Sequence, residues 1–369
     1  MRIAFFNWRD ISHPLAGGAE VYVHQLMKRL AERGHTVALF TSTFPGAKER
    51  ETIDGIEHIR YGGRFMIYPK AFFCYKKHIE GRYDAVVESI NGAPFLTKLF
   101  AKEPVVPLIH QLTKENWHSG LPLPLAFIGY HLEDAMLSIY RGCKTIAPSK
   151  STKSDLERLG FPDVEIVYGA SGIEAPDAGD ETASEIEKEK APTLIYLGRL
   201  VKSKRVDHAL RAFAIIRSTI PNCRLWIVGS GPEEKNLKKL SSELGLYGKA
   251  YFFGRVSEQD KIQLLSKAHI MLLPAVREGW GLVVLEANAC RTPVIGYDVP
   301  GLRDSIKDSE NGYLVEDGDI NALASRASTL LPDRLALDHL GQSSAHYSKK
   351  FSWDKTADGF LSILREVLR

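Results

Sequence analysis

The chain has 369 residues, of which 44% are apolar, and this length exceeds what one hydrophobic core usually serves, so two domains are expected. It carries 48 Lys and Arg against 45 Asp and Glu, and the resulting net charge of +3 gives no ground for nucleic-acid binding. The four cysteines lie far apart without C-x-x-C spacing, which argues against a disulfide framework and a zinc site and indicates a reducing compartment.

The N-terminal residues predict a cytoplasmic protein. The first apolar strand is short and meets the charged pair Arg9-Asp10 at once. No apolar run in the chain approaches the roughly 18 residues that a membrane span needs.

The first half alternates strands with helices. A buried strand over 2–8, a turn at Gly17-Gly18 that opens an amphipathic helix, and a strand over 35–41 form a βαβ unit. The turn is not G-x-G-x-x-G, so the dinucleotide fingerprint is absent and the ligand need not be NAD. Further strands are predicted over 53–60, 85–90, 105–109, 144–147 and 165–168, with helices over 121–140 and 149–159. This alternation predicts a parallel sheet covered on both faces.

Residues 174–192 form the best domain boundary. They contain seven acids, two lysines, two prolines and a single aliphatic residue larger than alanine, so the segment cannot bury itself. The pattern then restarts, with strands predicted over 193–197, 224–228, 250–253, 269–274, 294–297 and 312–315. We therefore predict a first domain over 1–173, an acidic linker over 174–192 and a second domain over 193–351.

The stretch over 278–295 reads E-G-W-G-L-V-V-L-E-A-N-A-C-R-T-P-V-I. An apolar strand leads into the turn Gly279-Trp280-Gly281, and Leu282 opens a helix that must end before Pro293. The free N–H groups of a helix start, approached through glycines, bind anions. The sequence therefore predicts a phosphate site at the backbone of Gly281, Leu282 and Val283.

Two carboxylates flank this predicted phosphate site. Glu278 precedes the turn, and Glu286 follows it among apolar or small neighbours, so it needs hydroxyl or N–H partners. Each acid alone is more typical of a structural role, Glu278 at the helix dipole and Glu286 in the interior. Together they fit a nucleotide sugar, with sugar hydroxyls on one carboxylate, ribose hydroxyls on the other and the diphosphate between them.

The turn after the first strand of the second domain places two cations near the same edge of the sheet. Arg199 and Lys204 follow that strand through Gly198. A fixed pair of cations there would neutralise a leaving diphosphate as charge develops on it. The alternative is a solvated basic turn, which we favour for Lys202.

Three further strand ends carry weaker signals. Gly229 and Gly231 permit close approach of the backbone, although a tight turn explains them as well. Arg255 and Val256 leave a strand at a position from which backbone groups can contact a base. His110 ends an apolar strand of the first domain, which favours a site residue over a structural one.

These motifs resemble the retaining GT-B glycosyltransferases of family 4. G-G-A-E from residue 17, G-R-L-V-K-S-K from 198, G-S-G-P from 229 and E-G-W-G-L-V-V-L-E-A from 278 occur in the family's order, and the last is its E-x7-E signature. The resemblance implies two Rossmann-like parallel-sheet domains facing across a cleft, with the helix over 352–369 packing back on the first. The chain departs from the family at 171–174, where N-G-V-D is usual, and at Trp280, where many members carry Phe.

The resemblance also implies roles for the residues named above. Glu278 would hold hydroxyls of the donor sugar and Glu286 the ribose. Arg199 and Lys204 would clamp the diphosphate, and His110 would lie near the reacting sugar. The remaining donor-site residues would be Gly17, Gly18, Gly198, Gly229, Gly231, Arg255, Val256, Gly279, Trp280, Gly281 and Leu282. No metal or other cofactor is expected, because protein cations take the place of magnesium and no D-x-D triplet with a metal-ligand role is evident.

The implied function is retaining, metal-independent transfer of a sugar from a UDP-sugar or GDP-sugar to a glycan or lipid-linked acceptor, in cell envelope polysaccharide biosynthesis. One alternative is a GT-B nucleotide-sugar epimerase, which needs no acceptor. A second is a non-catalytic module that binds a nucleotide sugar or NAD, which Arg199 and Lys204 disfavour because binding alone seldom needs cations at the leaving group.

The segment over 60–82 has six Lys or Arg, one acid and six aromatic residues. Such a segment could seat the first domain on anionic lipid at the inner face of a membrane, within reach of a lipid-linked acceptor. The alternative is a helix with Phe72, Phe73 and Tyr75 partly packed and its lysines solvated.

Overall fold

A computed structural model describes residues 1–114, 117, 123–173 and 187–369. Most of the predicted linker over 174–192, and the start of the helix predicted from residue 121, lie outside these described residues. The chain divides into two compact units. Unit 1 is Met1–Gly169 with Ser352–Arg369, and unit 2 is Ala170–Phe351.

Unit 1 is built on one sheet with helices packed on it. Its strands are β1 (Arg2–Phe6), β2 (Thr36–Thr41), β3 (Arg50–Ile53), β4 (Ile56–Arg60), β5 (Ala85–Ile90), β6 (Val105–Ile109), β7 (Thr145–Ala147) and β8 (Val164–Ile166). Its helices are α1 (Gly18–Glu32), α2 (Ile67–His78), α3 (Leu123–Ser138), α4 (Lys150–Arg158) and α12 (Trp353–Val367). Among the described residues the strand order is β3-β4-β2-β1-β5-β6-β7-β8, with only the β3–β4 pair antiparallel.

The antiparallel pair corrects one predicted element. A single strand was expected over 53–60, but the structure has a hairpin whose turn is Asp54-Gly55. Both turn residues have positive φ, 50° and 77°, as a two-residue turn that matches the twist of its strands requires. The Asp-Gly pair is the sequence signal for this turn, whereas the apolar pattern over 53–60 predicts one continuous strand.

Unit 2 is a second sheet with helices. Its strands are β9 (Thr193–Leu197), β10 (Arg224–Val228), β11 (Ala250–Gly254), β12 (Ile270–Leu273), β13 (Val294–Tyr297) and β14 (Gly312–Val315). Its helices are α5 (Val206–Thr219), α6 (Glu234–Glu243), α7 (Glu258–Lys267), α8 (Leu282–Ala289), α9 (Leu302–Ser305), α10 (Ile320–Leu330) and α11 (Arg334–Ser348). The described strands run parallel in the order β11-β10-β9-β12-β13-β14. The predicted fold class, two Rossmann-like α/β domains with parallel sheets, is confirmed.

Strand burial explains how each sheet positions its turns. β6 (V-V-P-L-I) and β9 (T-L-I-Y-L) are buried along their whole length, as expected for strands covered on both faces. In unit 2, β10 and β12 both pair with β9, so the turns that follow these three strands lie at one edge of the sheet. Open α/β sheets bind ligands at that edge.

Helix α12 packs on α1 within unit 1. Phe360 stacks on Phe5 of β1 with ring centroids 5.8 Å apart, and Thr356 donates a hydrogen bond of 2.7 Å to the carbonyl of Tyr168. Arg33, just beyond α1, pairs with Asp358 at 2.6 Å. The C-terminal helix is therefore part of unit 1 although the residues before it belong to unit 2.

Candidate active site

Glu278 and Lys204 are brought together by two neighbouring strand ends of unit 2. A short 3₁₀ turn after β9 ends at Lys204, and the loop after β12 carries Glu278. The ammonium of Lys204 donates to Oε1 of Glu278, and each side chain is 16% exposed. Two residues that the sequence assigns to different parts of a donor thus contact each other directly.

The loop that carries Glu278 is held by a glycine that sequence reasoning missed. The N–H of Glu278 donates to the carbonyl of Pro300, 3.0 Å away. Gly301 has φ +84°, and a Cβ there would lie 2.1 Å from the carbonyl oxygen of Glu278. Only glycine fits this contact, and the Pro-Gly pair before α9 was the available turn signal.

The start of α8 has the geometry that the sequence predicts for an anion site. Gly281 is the N-cap residue in the left-handed conformation, with φ 81° and no side-chain cap. The first N–H groups of α8, at Leu282 and Val283, have no carbonyl within the helix to bind. Their direction and the helix dipole favour a negative group at this end.

Trp280 supports this turn from the interior. Its side chain is 4% exposed and meets Phe351 edge to face, with ring centroids 5.2 Å apart. Phe351 in turn packs on Tyr347 of α11. The indole therefore anchors the turn, and Gly279 and Gly281 on either side of it leave the backbone without side chains.

Glu286 has a partner that the sequence did not reveal. Lys261 of α7 places its ammonium 2.8 Å from Oε1 of Glu286, and the two side chains are 14% and 13% exposed. Burial raises the pKa of Glu286 above its usual value, while the adjacent Lys261 opposes that rise. No signal near Glu286 in the sequence points to Lys261, because the contact depends on how α7 packs beside α8.

Arg199 differs from Lys204. Its carbonyl oxygen accepts a hydrogen bond of 3.0 Å from the Tyr196 hydroxyl, whereas its side chain is exposed and makes no hydrogen bond or ion pair within the described part of the chain. The expected fixed pair of cations is therefore one anchored lysine and one exposed arginine.

The glycines after β9 and β10 bring two turns of the chain together. A Cβ on Gly229 would lie 1.9 Å from the carbonyl oxygen of Gly198, and one on Gly231 would lie 2.2 Å from that of Leu200. Gly198 and Leu200 also donate to the carbonyls of Val228 and Ser230, each at 3.0 Å. Close backbone packing inside unit 2 thus accounts for both glycines, whether or not a ligand also approaches them.

The end of β11 completes this edge. Gly229 donates its N–H to the carbonyl of Gly254 at 2.8 Å. Arg255 follows as an exposed residue, and Val256 is half-buried against the core of unit 2. The predicted base-contacting residues therefore lie next to the glycine turn of β10.

His110 lies at the end of β6 in unit 1. Its Nε2 is 2.9 Å from the hydroxyl of Ser89, and its ring meets Tyr22 edge to face with centroids 5.4 Å apart. Burial lowers the pKa of His110 to about 4. The imidazole is therefore neutral at physiological pH and can offer or accept a hydrogen bond but supplies no positive charge.

The glycine turn of α1 is fixed by a buried acid. Glu20, 3% exposed, accepts the N–H of Gly17 at 2.7 Å and pairs with Arg9 at 3.1 Å. Arg9 also donates to the carbonyl of Leu15 at 2.7 Å. The amide of Gly17 is thus engaged within unit 1, and Gly18, the first residue of α1, has the amide that faces outward from the helix start.

Two more buried carboxylates hold loops at this edge of unit 1, and sequence reasoning missed both. Glu88 accepts the N–H groups of Phe95 and Thr97 at 2.5 and 3.0 Å. Glu133 of α3 accepts those of Thr113 and Lys114, at 2.5 and 2.8 Å, and so fixes the loop that follows His110.

The segment over 60–82 does not act as one basic surface. Arg60 has a fully buried side chain that pairs with Asp10 at 2.6 Å and with Glu51 at 2.5 Å. Its inclusion in a lipid-facing segment was therefore wrong, since β4 places it in the interior. The helix α2 does expose Phe73, Lys76 and Lys77.

The described residues contain neither a metal-ligand cluster nor a helix that could span a membrane. Within them, no group of three or more His, Cys, Asp or Glu side chains is arranged to hold a metal ion. Within the same residues, every helix is too short or too polar to cross a bilayer.

Two family models match the chain. "Glycosyltransferase Family 4" matches residues 16–171, and "Glycosyl transferases group 1" matches residues 178–347. N-acetyl-alpha-D-glucosaminyl L-malate synthase of Bacillus anthracis is 25% identical, and the similarity covers 97% of this chain and 96% of that protein.

Solved structures share the fold over the whole chain. Sucrose-phosphate synthase from Thermosynechococcus elongatus has a TM-score of 0.83 at 24% identity, covering 99% of this chain and 98% of the other. Anabaena HepE, solved in complex with UDP-glucose, has a TM-score of 0.75 at 16% identity and covers 99% and 100%. The fold is that of a GT-B glycosyltransferase. The chain belongs to the family 4 glycosyltransferases, with a family 4 domain followed by a group 1 domain.

Proposed function

We propose that the chain transfers a sugar from a UDP-sugar or GDP-sugar to a glycan or lipid-linked acceptor, with retention at the anomeric carbon and without a metal ion. The observation that carries the proposal is the placement of Lys204 against Glu278 beside the open N-terminus of α8, with Glu286 farther along the same helix. Anabaena HepE, which shares the fold, was crystallised in complex with UDP-glucose, and this supports a nucleotide sugar as donor.

The ion pair leaves both of its partners able to bind a donor. A lysine ammonium has three N–H groups, and the carboxylate of Glu278 uses one of them. The other two can reach oxygens of a diphosphate at the start of α8, and the second oxygen of Glu278 remains for a sugar hydroxyl. Binding therefore adds contacts to the pair without breaking it.

Catalysis in this proposal is electrostatic. When the bond between the sugar and the diphosphate breaks, negative charge grows on the leaving phosphate oxygen. In this proposal the Lys204 ammonium, the first amides of α8 and the exposed Arg199 stabilise that charge. These groups supply the positive charge that a metal ion supplies in other enzymes, and the leaving phosphate oxygen itself can accept the acceptor's proton.

His110 contributes as a neutral group. Its buried imidazole, hydrogen-bonded at Nε2 to Ser89, can hold a sugar hydroxyl through its other nitrogen. A neutral ring leaves the balance of charge at the leaving group to the cations of unit 2. This role for His110, and the approach of Gly17 and Gly18 to the diphosphate, follow from the family resemblance.

Transfer is preferred to epimerisation. The B. anthracis relative carries the name of a synthase that joins a sugar to malate, which favours an acceptor over release of a free sugar nucleotide. Because malate is part of that relative's name, the acceptor panel includes malate beside glycans and lipid-linked sugars.

Association with anionic lipid is proposed for unit 1. Exposed apolar side chains occur on α2 and the turn before it, with Phe65 59%, Met66 53% and Phe73 63% exposed. Leu123 and Phe127 of α3 are 76% and 61% exposed. Both helices contribute residues to one core cluster of unit 1, among them Cys74 of α2 and Leu137 of α3. Lysines on α2 complement an anionic surface.

Sedimentation with vesicles tests the lipid proposal separately from activity. We expect recovery with vesicles of anionic phosphatidylserine and little with phosphatidylcholine alone, and a Phe73→Ser, Lys77→Ser variant should lose the difference. Equal recovery with both lipids would contradict the membrane proposal and would not bear on the transferase proposal.

A panel of UDP-sugars and GDP-sugars tests the enzymatic proposal. Each donor is incubated with glycan, lipid-linked and malate acceptors, nucleotide release is measured, and the anomeric configuration of the product is read by NMR. We expect one donor to give acceptor-dependent release and a product with the donor's configuration. Conversion of the donor to an altered sugar nucleotide without acceptor identifies an epimerase, and inverted product contradicts retention.

A further inference from the structure

Lys261 lies in a position that no motif of the sequence assigns. It is on α7, and its ammonium is 2.8 Å from Oε1 of Glu286 on α8 and 2.6 Å from Oε2 of Glu258. Lys261 and Glu286 are 14% and 13% exposed at the side chain, whereas Glu258 is 82% exposed. The contact with Glu286 is therefore the one shielded from water, where an ion pair is stronger.

The contact with Lys261 occupies one oxygen of the Glu286 carboxylate and leaves the other. Oε1 accepts from Lys261, so Oε2 is the oxygen left for another donor. A carboxylate held on one side by an ammonium cannot rotate freely, so the direction of Oε2 is fixed. Of the three N–H groups of Lys261, two bind carboxylates and one remains at the same place.

We propose that Lys261 is a positioning residue of the donor site, which orients the Glu286 carboxylate so that Oε2 can accept a hydrogen bond from the nucleotide's ribose. The proposal rests on the proposed function, because the ribose is the part of the donor assigned to Glu286. Lys261 acts through Glu286 and need not touch the donor itself.

The charged groups around Glu286 determine in which direction its pKa changes when Lys261 is removed. Burial raises the pKa of Glu286, Lys261 lowers it, and Glu258, the other acid facing it from α7, raises it. Just after α8, Cys290 interacts with Glu286, and burial raises the pKa of that thiol to about 11, so it is uncharged at pH 7. Lys261 is thus the group that opposes protonation of Glu286, and without it the carboxylate binds a proton at higher pH.

Calorimetric titration of the whole protein with UDP and with GDP between pH 5 and 8 tests the proposal without requiring turnover. For the nucleotide that the wild type binds, we expect Lys261→Met to raise Kd at pH 7 by about tenfold or more. The loss of affinity at low pH should also begin about one pH unit higher than in the wild type. Titration of the nucleotide's own phosphate is common to both proteins and cancels in the comparison.

Two variants separate positioning from mere structure. Lys261→Arg keeps the charge next to Glu286, so it should keep the wild-type pH profile. Lys239→Met removes a lysine of an exposed pair, with side chains 79% and 58% exposed, on α6 of the same unit and should bind as the wild type does. Circular dichroism and thermal melting verify that each variant is folded.

A wild-type Kd and pH profile in Lys261→Met overturns the proposal, as does a displaced pH profile in Lys261→Arg. A wild-type protein that binds neither nucleotide at any pH is a different result, since it contradicts the proposed function rather than the role of Lys261.

Discussion

Lys204 and Glu278 lie 74 residues apart in the chain and form an ion pair at the edge of the unit 2 sheet. The pair joins the 3₁₀ turn after β9 to the loop after β12, so each residue fixes the position of the other. A cation that is anchored before the diphosphate arrives loses little freedom when it binds, and this preorganisation is what electrostatic catalysis requires.

Removal of Lys204 should therefore cost more than removal of a neighbouring lysine. We expect Lys204→Ala to lower kcat/KM roughly a hundredfold, which corresponds to a loss of about 3 kcal/mol of transition-state stabilisation. The effect on kcat should be larger than the effect on KM. Lys202→Ala is the matched control, since Lys202 lies in the same turn with an exposed side chain. Equal rates for Lys204→Ala and the wild type would exclude Lys204 from the mechanism.

Gly301 offers a test of how tightly the Glu278 loop is built. Gly301→Ala places a Cβ 2.1 Å from the carbonyl oxygen of Glu278 on a residue with φ +84°, so the loop must move. We expect a loss of roughly 2–5 kcal/mol in the free energy of unfolding, measured in urea, and weaker donor binding.

Gly318 is the control for the backbone conformation at Gly301. It has the same φ of +84°, but a Cβ there meets nothing within 4 Å. Gly318→Ala should cost only about 1–2 kcal/mol of stability and leave donor affinity unchanged. If both alanine variants behave alike, contact with Glu278 is not what requires glycine at 301.

The ion pair of Arg60 with Asp10 should make unit 1 sensitive to acid. Burial alone would raise the pKa of Asp10, but the His58 ring, 3.5 Å away, and the hydrogen-bonded Arg60 guanidinium outweigh it and hold that pKa below its usual value. A lowered folded-state pKa contributes stability above the unfolded value, and this stability is lost as pH falls below about 4. Urea unfolding of the wild type at pH 7 and below 4 should show the loss.

Substitution of Arg60 tests the same pair directly. Arg60→Met leaves the buried Asp10 without its main partner and should cost about 3–5 kcal/mol of stability at pH 7. Arg50→Met removes a pair with side chains 61% and 35% exposed and should cost about 1 kcal/mol or less. A cost for Arg60→Met as small as that of Arg50→Met would show that burial of the Arg60 pair carries no penalty when it is broken.

His110 should remain neutral over the whole working range of pH. Burial lowers its pKa to about 4, so in the folded protein the ring gains a proton only near that pH. Because the unfolded ring binds its proton near 6.5, folding stability should fall as pH drops from about 6.5 toward 4. NMR titration of the ring Cε1 proton should give a midpoint near 4, whereas a midpoint near 6.5 would mean that His110 can act as a cation at neutral pH.

Sequence reasoning predicted the strand, turn and helix of the candidate site but not the ion pairs within it. The two acids and the glycine turn before α8 lie within one short stretch, so strand and helix signals sufficed to place them. The partners Lys204 and Lys261 lie 74 and 25 residues from Glu278 and Glu286, and only the packing of the sheet and of α7 brings them close. Periodicity carries no information on such contacts.

In the first domain, too, sequence patterns did not predict which side chains are buried or what they contact. Arg60 was grouped with the basic residues of α2 because they are close in sequence, but it ends β4 and points into the interior. Glu88 and Glu133, which hold the loops after β5 and β6, are ordinary acids in the sequence. Their role comes from backbone N–H groups of loops whose conformation no local pattern specifies.

A crystal structure of the protein soaked with UDP tests the central claim most directly. We expect phosphate oxygens within hydrogen-bond distance of the N–H groups of Leu282 and Val283 and of the Lys204 ammonium, with a ribose hydroxyl on Oε2 of Glu286. A diphosphate bound away from the start of α8, or a ribose that makes no contact with Glu286, would contradict the proposed donor site.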